Sequence, residues 1–158
     1  MWGSRMPAET TPMIKTFDLL LVEDNPGDVR LTQEALRETT IPVHLNVATD
    51  GVEAVDFLYR RGKYRDAPRP ELILLDLNLP RKSGREVLSE IKADPSLRSI
   101  PVVVMTTSTA EQDINKAYSL NANCYITKPL DLDQFLSVIR SIEDFWLTRA
   151  TLPRLQTA

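Results

Sequence analysis

The stretch ELILLDLNLP, residues 71–80, decides the fold of this chain. Its apolar run, residues 72–75, lies between Pro70 and Pro80, which limit its length. A short apolar run bounded in this way predicts a strand that is buried on both faces rather than a helix. Asp76 ends the run, and ligands bind at the carboxyl ends of strands in open parallel sheets. Because a lone Asp in this position can equally cap the next helix, the stretch by itself leaves both roles open.

A second apolar run, residues 19–22, also ends in acidic residues, Glu23 and Asp24. If both runs are strands of one parallel sheet, their carboxyl ends bring Glu23, Asp24 and Asp76 to the same edge. Three carboxylates within a few ångströms repel by about 1 kcal/mol per pair in water. A hard divalent cation with oxygen ligands, Mg²⁺ above all, would offset this repulsion. A purely structural polar cluster is the alternative.

Apolar spacing divides the chain into alternating strands and helices. It predicts strands at residues 17–23, 43–48, 72–75, 101–105 and 124–127. It predicts helices from residue 25 to about residue 39, from residue 52 onward, and over residues 83–94, about 110–120 and 131–147. Since strands and helices alternate, the predicted fold class is α/β: a single-domain (βα)5, doubly wound parallel sheet with right-handed crossovers.

Residues 60–70 interrupt this alternation with a basic loop. Gly62 is predicted to end the preceding helix, and Pro68 and Pro70 prevent its continuation. A basic loop could contact an acidic partner, but a solvated connection is the more frequent case and is expected here. Residues 1–16 are polar and aperiodic, which predicts a disordered leader, and residues 148–158 are expected to form a tail after the domain of residues 17–147.

Composition narrows the function classes. A net charge of −3 over 158 residues lacks the basic footprint of a general nucleic-acid binder. One cysteine excludes an internal disulfide framework and fits a reducing compartment. No apolar run approaches the roughly 20 residues of a membrane span, so we expect a soluble, cytoplasmic protein.

Two more polar residues follow predicted strands, Thr106 after the fourth and Lys128 after the fifth. The predicted topology places both at the edge that holds Asp76. An Asp beside a metal ion is a competent nucleophile towards phosphorus. Thr106 then supplies a hydroxyl donor and Lys128 a positive charge for phosphoryl oxygens.

At these residues the chain resembles the CheY-like receiver domains of two-component response regulators. The resemblance covers about residues 17–147 and rests on the following residues: Glu23-Asp24, Asp76 with Asn78 and Pro80, Gly84, Thr106 and Lys128-Pro129. It implies a flavodoxin-like receiver fold with strand order 2-1-3-4-5. It also implies a phosphoacceptor that catalyses only its own phosphorylation and slow dephosphorylation.

The resemblance assigns a role to each residue of the edge. Asp76 accepts a phosphoryl group from a phosphohistidine on a sensor histidine kinase. Mg²⁺ is held by Asp24, Asp76 and the backbone carbonyl of Asn78, with Glu23 acting through water. Thr106 and Lys128 contact the phosphate. The switch on phosphorylation is made by Thr106 and Tyr125.

A narrower resemblance points to the stand-alone regulators that pair with bacterial phytochrome histidine kinases, because the basic loop and residues 124–127 and 145–147 are similar. Since no second domain is expected, the signal should pass by protein contact, without direct DNA binding. The adjacent apolar residues Phe145, Trp146 and Leu147 predict a homodimer through the fourth and fifth helices and the tail.

Three alternatives remain open. The first is a phosphorelay intermediate that passes the phosphoryl group to a histidine phosphotransfer protein. The second is an aspartate-nucleophile phosphatase, but such enzymes need a general acid two residues after the nucleophile, where this chain has Asn78. The third is a degenerate receiver that acts only as a scaffold, and the full set of polar residues at the edge argues against it.

Overall fold

The computed structural model describes residues 16–38, 42–106, 122 and 124–127, together with Asp133, Ser137, Arg140 and Ser141. The strands are β1 (Phe17–Val22), β2 (Val43–Ala48), β3 (Leu72–Asp76), β4 (Val102–Thr106) and β5 (Cys124–Thr127). The helices between them are α1 (Pro26–Leu36), α2 (Gly51–Leu58) and α3 (Gly84–Ala93), and a 3₁₀ helix covers Gly62–Tyr64.

All five strands pair in parallel in the order β2-β1-β3-β4-β5. The predicted α/β fold class and strand order are therefore confirmed. β3 lies in the middle of the sheet, and all five of its residues are buried. In the register, Val22 is opposite Leu75, so the residues that follow them, Glu23 and Asp76, come to the same edge.

Two apolar layers sandwich the sheet. On one face, alternate strand residues such as Leu20, Ile73 and Val104 pack with buried residues of α2 and α3. On the other face, Leu21 and Leu74 belong to a second layer that includes α1. Helices thus cover both faces, as expected of a doubly wound sheet, and leave the strand ends as the place for polar chemistry.

Each of the three helices begins at a side-chain cap. Asn25 Oδ1 accepts hydrogen bonds from the amides of Gly27 (2.8 Å) and Asp28 (3.2 Å). Ser83 Oγ accepts one from the Glu86 amide at 3.2 Å, as the S-x-x-E spacing predicts. Asp50 Oδ1 accepts one from the Glu53 amide at 2.8 Å. Because Asp50 is the cap, α2 begins at Gly51, one residue earlier than predicted.

Two predicted helix ends were wrong. α1 ends at Leu36 rather than near residue 39, because the amides of Arg37 and Glu38 bond three residues back and tighten the last turn. α2 does not end at Gly62. It ends at Leu58, and Arg60 takes the positive φ of 56° that usually favours glycine after a helix. β4 also starts one residue later than predicted, since Pro101 has no amide hydrogen to donate.

The basic loop is tied to the domain rather than only solvated. The ring of Tyr64 packs edge-on against Phe57 with centroids 5.4 Å apart, and its hydroxyl donates a hydrogen bond to Glu53. At the end of the loop, Arg69 donates a hydrogen bond to Ser99 Oγ at 3.1 Å, and just before the loop the Tyr59 hydroxyl donates one to Asp94. An acidic partner for this loop, the less favoured alternative in the sequence, stays untested.

Several predictions fall on residues that the structure does not describe. These include the leader, the helix at about residues 110–120, Lys128, the tail, and the proposed dimer residues Phe145, Trp146 and Leu147. Within the predicted last helix, Asp133, Ser137, Arg140 and Ser141 are helical and exposed, which fits one solvent-facing side of a helix. Among the helices that the structure describes, none is long and apolar enough to cross a bilayer.

Candidate functional site

Three carboxylates meet at the carboxyl edge of the sheet. One oxygen from each of Glu23, Asp24 and Asp76 can be chosen so that all lie within 4.8 Å of one another. Glu23 and Asp76 are buried, with 1% and 4% of their surface exposed, whereas Asp24 is exposed. The structure therefore brings together the three acidic residues predicted from the ends of the two apolar runs.

The backbone after β1 determines where Glu23 lies. Its amide donates a hydrogen bond to the Ala48 carbonyl at 2.9 Å, which extends the β1–β2 ladder by one residue. Its side-chain Oε2 accepts a hydrogen bond from the Asn25 amide at 3.1 Å. Because Asn25 also caps α1, the buried carboxylate is held in place by the same turn that starts the helix.

The loop after β3 holds Asp76 in a similar way. The Asp76 Oδ1 atom accepts a hydrogen bond from the Asn78 amide at 2.9 Å. The next amide along the chain, that of Leu77, donates to the Met105 carbonyl of β4 at 3.2 Å. Asp76 is thus restrained both by its own turn and by the neighbouring strand.

Gly84 allows α3 to begin directly against this loop. Its amide donates to the Leu77 carbonyl at 3.0 Å, and a Cβ at this position would lie 2.2 Å from the Asp76 carbonyl oxygen. A side chain cannot occupy that space without moving the backbone of Asp76. Glycine is therefore required here by close approach, since its φ is not positive.

The carboxylates open onto a cleft of ≈ 410 Å³. Its lining combines the three carboxylates with Asn25, Pro26, Asp28 and Asn78. Carboxylate oxygens gathered in this way suit a hard divalent cation, which takes oxygen ligands, and they do not suit a soft metal that prefers thiolates. The residues present therefore fit the divalent cation that the sequence predicts.

The other predicted site residues are placed to different extents: Thr106 by its backbone alone, Tyr125 with its side chain, and Lys128 not at all. Thr106 is the last residue of β4 and follows Met105, which is opposite Asp76 in the register. Thr106 pairs with Thr127, after which Lys128 follows outside the described residues. Tyr125 is half-buried against the core layer of α2 and α3, opposite Val104. The side chain of Thr106 also lies outside what the structure describes.

Sequence reasoning missed two contributors to this region. Asp28 lines the cleft from the first turn of α1. Its position in the sequence, four residues after Asp24, could have indicated that it lies near this edge. Arg81, in the loop after β3, forms an ion pair with Asp50 at 3.1 Å. No spacing indicates that pair, because its two residues are 31 positions apart.

Comparisons with known proteins agree with this geometry. Residues 19–140 match the response regulator receiver domain. The chain is 52% identical over 135 residues to the response regulator Rcp1 of Synechocystis sp., which covers 85% of this chain and 92% of Rcp1.

Solved structures include two similar proteins. The Mn²⁺-bound form of Rcp1 has a TM-score of 0.74 at 51% identity and covers 83% of this chain and 94% of its own. The phosphorylated cyanobacterial phytochrome response regulator RcpA has a TM-score of 0.76 at 52% identity. The match covers 87% of this chain and 98% of the RcpA chain. With the strand order and the acidic edge, these matches show that the chain belongs to the response regulator receiver domain family.

Proposed function

We propose that Asp76 of this protein is the phosphoacceptor of a two-component system and receives its phosphoryl group from a phosphohistidine of a sensor histidine kinase. The observation that carries the proposal is the convergence of Asp76 with Glu23 and Asp24 at the sheet edge of a receiver domain. The family to which the chain belongs consists of response regulators and not of classical enzymes. Self-catalysed transfer and slow hydrolysis are therefore part of the proposal.

The transfer is a nucleophilic substitution at phosphorus. A carboxylate oxygen of Asp76 attacks the phosphorus atom and forms an O–P bond while the P–N bond to histidine breaks. The electron pair of the broken bond returns to the imidazole nitrogen, which takes up a proton. The hydrogen bond that the Asn78 amide donates to Oδ1 orients the Asp76 carboxylate for this attack.

Asp24, Asp76 and the backbone carbonyl of Asn78 would hold Mg²⁺, with Glu23 acting through water. A bound cation supplies charge neutralisation for the carboxylates and for the incoming phosphoryl oxygens. The similar protein Rcp1 has been solved in a Mn²⁺-bound form, which supports the binding of a divalent ion by this protein. The preference for Mg²⁺ in this protein is our proposal, based on its hard oxygen ligands.

Thr106 and Lys128 would contact the phosphoryl oxygens, the first as a hydroxyl donor and the second as a positive charge. Thr106 and Tyr125 would then make the switch, in which phosphorylation shifts the population of two existing conformations. Support for Tyr125 comes from its half-buried position opposite Val104, two residues before Thr106.

The proposed partner is a phytochrome-type histidine kinase, because RcpA is named as a phytochrome response regulator and its structure aligns with 87% of this chain. The test is intact mass spectrometry after incubation with Mg²⁺ and acetyl phosphate, and then with such a kinase in its phosphorylated form. We expect one adduct that hydroxylamine removes, absent from Asp76→Asn and present in Asp28→Asn, a control within the same cleft. An adduct that persists in Asp76→Asn, or no adduct from either donor, contradicts the proposal.

The homodimer is proposed as well, through Phe145, Trp146 and Leu147 and the elements around them. Several adjacent large apolar side chains need a covering surface, and a two-fold contact is the commonest arrangement. Light scattering at micromolar concentration tests this, with Trp146→Ala expected to weaken the dimer and Trp2→Ala as a control. A monomer both with and without phosphorylation would contradict it.

A further inference from the structure

The loop between β3 and α3 contains a strained turn close to the acidic edge. Arg81 has a φ of 68°, and the amide of Lys82 donates a hydrogen bond across it to the Pro80 carbonyl at 2.8 Å. These two features define a tight three-residue turn whose central residue has positive φ, a conformation that is rare and strained for a residue with a side chain. Such a turn persists only where its surroundings hold it.

Asp50 provides that restraint from another loop. Arg81 Nη1 lies 3.1 Å from Asp50 Oδ2, and the Asp50 side chain is only 11% exposed. The other oxygen of Asp50 accepts the hydrogen bond that caps α2. The carboxylate is therefore fixed by a helix start, and Arg81 is anchored to a rigid group rather than to a mobile side chain.

The residue after Asp50 brings the two loops into backbone contact. A Cβ on Gly51 would lie 2.0 Å from the carbonyl oxygen of Lys82, so the turn is seated directly on the start of α2. The same connection between β2 and α2 follows Ala48, whose carbonyl accepts the Glu23 amide hydrogen bond. The ion pair thus joins the loop that follows Asp76 to the connection that supports Glu23.

We propose that Arg81 is a positioning residue of the phosphorylation site, and that its ion pair with Asp50 holds the strained turn in place and so sets where Asp76 and Asn78 lie relative to Glu23. The inference rests on the proposed function for its consequence in phosphoryl transfer. The effect of the ion pair on the turn can be measured without metal or phosphate. The positioning role of Arg81 and the proposed function can therefore be tested separately.

Charge effects and positioning predict different signs for two variants. Arg81→Ala removes a positive charge, so charge alone would strengthen Mg²⁺ binding. Asp50→Asn removes a negative charge, so charge alone would weaken it, while Asn retains the ability to cap α2. If the ion pair positions the site, both variants weaken Mg²⁺ binding. A matched control is Lys82→Ala, which removes a positive charge of the same turn and its ion pair with Glu90.

The experiment measures three quantities on the full chain. Hydrogen exchange of the Lys82 and Gly84 amides without metal should be about fivefold faster in Arg81→Ala and Asp50→Asn. Mg²⁺ titration by calorimetry should give dissociation constants raised about fivefold in both. The rate of adduct formation with acetyl phosphate should fall with them, and Lys82→Ala should match the wild type in exchange.

Different results would overturn the positioning role of Arg81 and the proposed function. Unchanged amide exchange in both variants overturns the inference, as does tighter Mg²⁺ binding by Arg81→Ala with weaker binding by Asp50→Asn. An equal acceleration of exchange in Lys82→Ala also overturns it, because any lost charge would then loosen the turn. If the wild type forms no adduct while exchange responds as expected, the proposed function fails and the positioning role of Arg81 stands.

Discussion

The α-carbon of Gly84 lies so close to the main chain of Asp76 that a Cβ on Gly84 would stand 2.2 Å from the Asp76 carbonyl oxygen. The start of α3 is therefore seated on the backbone of the proposed phosphoacceptor. The adjoining hydrogen bond from the Gly84 amide to the Leu77 carbonyl fixes the distance between helix and strand end. Any displacement of the first turn of α3 must move Asp76 with it.

Gly84→Ala should damage both stability and the site. We expect a loss of about 2–3 kcal/mol in the free energy of unfolding, because the methyl group clashes with backbone that cannot rotate away. Mg²⁺ binding should weaken in the protein that remains folded. Urea unfolding and Mg²⁺ titration measure the two effects.

Gly62→Ala is the control for this substitution. Gly62 has a φ of 57° but nothing within 4 Å of its Cβ position, so alanine should cost only about 1 kcal/mol of backbone strain. Its Mg²⁺ affinity should equal that of the wild type. A Gly84→Ala protein with wild-type Mg²⁺ affinity would contradict the argument from close approach.

Asp24→Asn should have opposite effects with and without Mg²⁺. In a chelator the variant should melt higher than the wild type by roughly 3 °C, because it relieves repulsion among three carboxylates. At saturating Mg²⁺ the wild type should melt higher, since it binds the ion more tightly. Differential scanning calorimetry in both buffers, with Glu34→Gln, an exposed carboxylate outside the cleft, as a control, tests the reversal, and an Asp24→Asn variant that is less stable than the wild type in chelator would contradict it.

Glu53 should make the protein sensitive to acid. Hydrogen bonds from the Tyr64 and Thr49 hydroxyls lower the pKa of this carboxyl to about 2 from its ordinary value of 4.5. A carboxyl whose pKa is lower in the folded state stabilises the protein above pH 4.5, and that contribution disappears as the pH falls towards 2. With about a quarter of the side chain exposed, we expect a contribution of about 1–2 kcal/mol at neutral pH.

The measurement is urea unfolding at steps from pH 7 to pH 2. Glu53→Gln should be less stable at neutral pH and should converge with the wild type near pH 2. Asp56 lies on the same helix as Glu53, is half-exposed and pairs with the exposed Arg61, so Asp56→Asn should change stability by ~0.5 kcal/mol or less. Stability curves of Glu53→Gln and wild type that stay parallel down to pH 2 would show that the hydroxyl contacts do not tune this carboxyl.

Much of the site followed from the sequence because each acidic residue directly ends an apolar run. Parallel pairing then brings Glu23 and Asp76 to one edge, whatever the details of the loops. The helix caps Asn25 and Ser83 were also predictable, because capping depends on side-chain oxygens within three residues.

Helix ends were less predictable. Gly62 was the natural choice for the end of α2 and does have a positive φ of 57°, yet the helix ends earlier and Arg60 also adopts a positive φ, of 56°. The cost of that conformation is about 1 kcal/mol, which the packing of Tyr64 against Phe57 a few residues later can offset. Residue spacing along the chain does not predict this compensation, because the contact between Tyr64 and Phe57 depends on where the loop returns to the domain.

The sequence by itself determined the alternation of strands and helices, the doubly wound sheet and the edge at which its carboxylates collect. Only the tertiary structure decided that Arg81 pairs with Asp50, that Gly51 accommodates the Lys82 carbonyl and that Gly84 lies against Asp76. The physical reason is the sequence separation over which each kind of interaction acts. Periodicity and capping act within a few residues, whereas these contacts depend on the packing of α2 and α3 against the same face of the sheet.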